Sequence, residues 1–72
     1  MKTIVELIQI AASGGGIVID ANRTTQDLVR IASYAAGKGS RVIIKGASSK
    51  PMRDLEEIAH SGMGVVIFDF TE

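Results

Sequence analysis

Hydroxyl and basic side chains gather in two short stretches, Asn22-Arg23-Thr24-Thr25 and Ser48-Ser49-Lys50. Each stretch follows an apolar run and precedes a segment of helical period. Hydroxyl and amide side chains at helix starts satisfy free backbone N–H groups, and helix N-termini beside cations suit an anion such as phosphate. If the two apolar runs are parallel neighbours, both stretches fall at their carboxyl ends, where open α/β sheets hold ligands. Asp20, Asp69, Thr71 and Glu72 belong to the same end. Asn22, Arg23, Thr24, Thr25, Ser48, Ser49 and Lys50 are therefore the candidate ligand residues, for an anion. The competing reading is that they cap helices and carry solvated charge.

Other patterns point to less chemistry. Gly14-Gly15-Gly16 follows a helical segment and precedes a β-branched run. A dinucleotide fingerprint needs the reverse order, strand, glycines, helix, so these glycines read as a turn. Ala36-Gly37-Lys38-Gly39-Ser40 has part of a phosphate-loop pattern, but Ala32 stands where its first glycine belongs and Gly39 where a hydroxyl should meet magnesium. His60 is the sole histidine and cysteine is absent, so no metal set forms. No nucleophile–base pair can be named, and His60 reads as a surface residue. Met52 and Met63 flank the third helical segment and are expected to fill gaps in the core. The reading is not an enzyme, with no catalytic residues, cofactor or metal.

Composition sets further bounds. Seventy-two residues make one domain, and eight basic side chains balance eight acidic ones. A neutral chain lacks the positive field on which nucleic-acid binding usually rests. No run approaches the length of a membrane span. Glu6 and Gln9 interrupt the apolar start, where a secretory leader needs about 7–15 unbroken apolar residues. Thr3-Ile4-Val5-Glu6 fits a helix capping box instead. With no leader and no cysteine, the expected compartment is the cytoplasm. So short a chain leaves little surface to bury, and its core is either simple or completed by another subunit.

The elements follow from a threefold repetition. Leu7-Ile10-Ala11, Leu28-Ile31-Ala32 and Leu55-Ile58-Ala59 each precede a glycine-bearing turn and then a β-branched run. The runs start with Ile17-Val18-Ile19, Val42-Ile43-Ile44 and Val65-Val66-Ile67. Helical periodicity covers 3–13, a segment closed by Gly37-Lys38-Gly39, and a segment opened by Ser48-Ser49-Lys50-Pro51 and ended by Ser61-Gly62-Met63-Gly64. Strands are expected over 17–21, 41–46 and 65–70. The result is a single αβαβαβ domain over 1–72, of the α/β class. Crossovers of this length make the sheet parallel and right-handed. Sequential strand order puts the helices mainly on one face, as a short solenoid; order 2-1-3 would put helices on both faces. In layout the sequential form resembles the α/β solenoids built from leucine-rich repeats, although their Leu-x-Leu-x-x-Asn run is missing.

Aligning the strands at 17, 42 and 65 sorts their side chains. Ile17, Ile19, Val42, Ile44, Val65 and Ile67 fall on the helix-covered face. Val18, Ile43, Val66, Phe68 and Phe70 fall on the other, with Asp20 beside Lys45. Helix 1 adds a second apolar stripe, Val5, Ile8 and Ala12, where the later helices are more polar. These eight residues, from Val5 to Phe70, are the candidate interface. The expected function is a protein-interaction or self-assembling module, partnered by a second copy in a dimer or by another protein, with no nucleic acid and no membrane. The alternative is a small anion- or nucleotide-binding regulatory domain using the 22–25 and 48–50 turns.

Overall fold

A computed structural model describes residues 3–71. Helices and strands alternate: α1 (Ile4–Ala12), β1 (Ile17–Asp20), α2 (Thr25–Lys38), β2 (Val42–Lys45), α3 (Met52–Gly62) and β3 (Val66–Asp69), with a 3-10 turn over Ala47–Ser49. The strands form one parallel sheet in the order β1-β2-β3. Sequential order with right-handed crossovers places α2 and α3 on the same face, and α1 packs beside α2. The alternative order 2-1-3 does not occur.

Local chemistry sets the helix ends. The Thr3 hydroxyl accepts from the Glu6 N–H at 3.2 Å while Glu6 Oε1 accepts from the Thr3 N–H at 3.0 Å. This is the expected capping box. Thr24 caps α2, its hydroxyl accepting from the Asp27 N–H at 3.2 Å. Gly39 ends α2 in the left-handed conformation, at φ 69°. Helix α3 starts differently from expectation. Pro51 is its N-cap and offers no side-chain acceptor, while Ser48 and Ser49 belong to the 3-10 turn upstream.

The core lies between the helix layer and one face of the sheet. Leu28, Ile31, Ala32 and Ala35 of α2 are fully buried, and Ile58 of α3, Val42 and Ile44 of β2 meet them. Gly62 closes this packing. A Cβ there would collide with the Val66 side chain. The first helix departs from the repeat. Ile31 and Ile58 are buried completely, whereas Ile10, at the equivalent position, is 38% exposed. Its helix has nine residues, and there Leu7 and Ala11 face inward with Ile4 and Ile8 packed beside them against the core. Ala59 is exposed, and Gly62 takes the inward position at the end of α3. Met52 and Met63, expected in the core, are 69% and 82% exposed.

Strand β3 sits one residue away from its expected register. Val66 pairs with Val42 and Phe68 with Ile44. Val65 is used in the preceding turn, where Met63 and Gly64 both have positive φ and the Val65 N–H donates to the Gly62 carbonyl at 3.0 Å. A one-residue slip moves every side chain to the opposite face. Val66 and Phe68 therefore leave the proposed open face and pack against the core. Ile67 and Asp69 take their places beside Ile43 and Lys45.

Candidate functional site

The corrected register gives the uncovered face of the sheet an ordered pattern. Alternation along each strand sends Val18, Ile43 and Ile67 outward as a row across the three strands. Val18 is 60% and Ile67 41% exposed, with Ile43 partly covered between them. Two residues further on, Asp20, Lys45 and Asp69 form a second row, again one per strand. These three, with Gly46 and Thr71, line a shallow groove of about 340 Å³ at the carboxyl edge. Thr71 donates to Asp69 Oδ1 from both its hydroxyl and its backbone N–H. Those two hydrogen bonds hold the Asp69 carboxyl below the ordinary carboxylate range against a small desolvation effect, with the Lys45 charge helping least.

The two candidate anion-binding turns do come together, through their own contacts. Lys50 Nζ donates to the Arg23 carbonyl at 2.8 Å and to Thr25 Oγ1 at 3.1 Å. The Thr25 hydroxyl donates in turn to Asp54 Oδ2 at 3.1 Å. Ser49 Oγ donates to the Gly46 carbonyl at 2.8 Å, and Thr24 serves α2 as a cap. The half-buried Lys50 ammonium thus laces the β1–α2 turn to the start of α3. Asn22 and Ser48 are exposed. Glu72 lies outside the described residues.

The remaining candidates scatter. Of the helix 1 stripe, Val5 is 57% exposed, whereas Ile8 packs against the core and Ala12 is half-buried. The outer side of α1 carries a shallow groove of about 530 Å³ lined by Glu6, Gln9, Ile10, Ser13 and Gly15. Phe70 is 53% exposed beyond the end of β3, its ring 6.1 Å from that of Phe68. His60 lies exposed on α3. Among the described residues no group of three or more His, Cys, Asp or Glu could hold a metal ion, and no helix is long and apolar enough to cross a membrane.

Sequence reasoning missed two members of the open face, Asp69 and Arg41. Asp69 is signalled by the strand ends, since each run closes on an apolar residue and then a charge: Ile19-Asp20, Ile44-Lys45, Phe68-Asp69. Arg41 is signalled by parity, two residues before Ile43. Its Cβ lies 3.9 Å from where Gly16 would carry one. Comparison with family models, curated proteins and solved structures finds no match.

Proposed function

We propose that this chain is a non-catalytic docking module of the cytoplasm, and that its working surface is the open face of the sheet. One observation carries the reading. An all-parallel sheet has helices on one face alone, and the other presents Val18, Ile43 and Ile67 as a continuous apolar row. Parallel sheets are ordinarily covered on both faces. An uncovered apolar row is the mark of an interaction surface. The chain's polar clusters support the same conclusion from the other side. Lys50, Thr25 and Asp54 are engaged with one another rather than turned to a common ligand. That arrangement speaks for the docking reading over the anion-binding one.

The reading requires that the face be surplus to folding. In the Val18→Lys, Ile67→Lys double variant, unfolding free energy should stay within about 0.5–1 kcal/mol of the parent, as for surface substitutions. Chemical denaturation followed by circular dichroism measures it. A variant that unfolds, or loses several kcal/mol, would show that the chain uses this face for its own stability and end the proposal.

A further inference from the structure

We infer that the open face docks on a second copy of itself, as a two-fold dimer with the strands of the two sheets antiparallel across the interface. This rests on the docking reading and names its partner. The argument is charge complementarity within one face. Along the strands the face has three rows: Arg41 with Gly16 at the amino end, Val18, Ile43 and Ile67 in the middle, and Asp20, Lys45 and Asp69 at the carboxyl end. The amino-end row carries +1 from Arg41. The carboxyl-end row carries −1, from two aspartates and one lysine. A two-fold axis running across the strands at the middle row lays apolar row on apolar row. It also brings the Arg41 end of each copy over the aspartate end of the other.

The geometry also settles what Arg41 meets. Directly opposite it lies the partner's Lys45 column. Sheets packed face to face are rotated by about 30°. Arg41 is two residues from the centre, about 6.6 Å, so the rotation carries it roughly 3 Å sideways, toward an aspartate column about 4.8 Å away. The face is small. Three strands by five residues give about 240 Å² in projection, well below the roughly 800 Å² per partner of a stable interface. The dimer is therefore a weak, exchanging one.

Charge exchange tests it with the whole chain. Arg41→Glu sets a negative end against a negative row in its homodimer. Asp20→Lys with Asp69→Lys sets Arg41 against a positive row in its own. A mixture of the two variants satisfies both halves of the interface at once. Sedimentation of the parent from micromolar to millimolar concentration should show monomer–dimer exchange. Each variant alone should dimerise about tenfold more weakly or worse, and the mixture should recover or exceed the parent's affinity. Circular dichroism checks that each variant is folded, and the rescue itself excludes misfolding as the cause of the losses. A parent monomeric throughout overturns the inference while leaving the denaturation test of the docking reading intact. A dimer indifferent to Arg41→Glu, or variants that fail to rescue one another, overturns it too.

Discussion

The two faces of the sheet share β-branched residues that meet opposite fates. Ile44 and Ile43 are neighbours on the central strand, with equal side chains and equal strand propensity. Ile44 is fully buried under the helices, and Ile43 lies in the uncovered row. Hydrophobicity alone does not assign a role; the helix layer does, by covering one face and leaving the other. The contrast can be broken with paired truncations. Ile44→Ala should cost about 2–5 kcal/mol, the range for a buried isoleucine that leaves a cavity. A domain of this length is stable by roughly 4–10 kcal/mol, so the loss is a large share of the total. Ile43→Ala should cost clearly less. Denaturant midpoints measured side by side decide it, and equal losses would mean that both faces contribute to folding.

Which face a residue joins was legible for two strands and not for the third. In β1 and β2 the apolar runs end on Asp20 and Lys45, each followed by turn residues, so their parity was unambiguous. In β3 four apolar residues, Val65 to Phe68, follow one another without a polar break. Such a run shows no period, and aligning the run starts put it one residue early, where aligning the charged ends Asp20, Lys45 and Asp69 sets the observed register. The missing information was conformational: Met63 adopts a positive φ, uncommon for a side-chain-bearing residue, and Val65 is taken up in the turn. The helix caps at Thr3 and Thr24 were readable because they rest on local chemistry, and the sequential order was favoured over 2-1-3 by the threefold repeat. The engagement of Lys50 was not, because it depends on a carbonyl and a hydroxyl 27 and 25 residues away. Exposure of Ile10 was hidden for a similar reason. The repeat equates it with Ile31 and Ile58, but α1 turns Leu7 and Ala11 inward with Ile4 and Ile8 beside them, and Ile10 is left on its outer side.

The covered face depends on keeping its edge helix in place, and one polar residue adds to the apolar packing that does so. Ser40 is buried, and its hydroxyl donates to the Ala11 carbonyl at 2.9 Å, joining the lead-in of β2 to the end of α1. The Ala11 carbonyl, in the last turn of the helix, also accepts from the Gly14 N–H at 3.1 Å, so Ser40 supplies its second hydrogen bond. Ser40→Ala removes that bond while the Ala11 carbonyl keeps the Gly14 N–H as a partner, so it should destabilise by about 0.5–1.5 kcal/mol, the net worth of one hydrogen bond. The loss should concentrate in α1. Amide exchange should quicken there more than in α2, which is held on both sides. Uniform quickening across all three helices would mean that α1 and the rest of the covered face open as one unit.

The smallest effect concerns the open face and whether its charges are spent internally. Asp69 is held mainly by Thr71, whose hydroxyl and N–H both donate to it, and least by Lys45. A carboxyl whose folded value lies below its unfolded one contributes stability above the ordinary value of about 3.9, and loses that contribution as pH falls through the folded value. The contribution is therefore complete at neutral pH and disappears only in acid. Thr71→Val removes the hydroxyl and keeps the N–H, so the Asp69 carboxyl should titrate at higher pH than in the parent, though only part of the way to its ordinary value. Lys45→Ala should move it in the same direction by less. Carbon-detected NMR titration of the side-chain carboxyl measures both. The ranking matters for the surface. If Thr71 dominates, the aspartate row is oriented by local hydrogen bonds, and its charge stays open to an arginine arriving from outside. If Lys45→Ala gives the larger shift, Asp69 is already neutralised across the strands, and the carboxyl row has little left to offer Arg41 of a second copy.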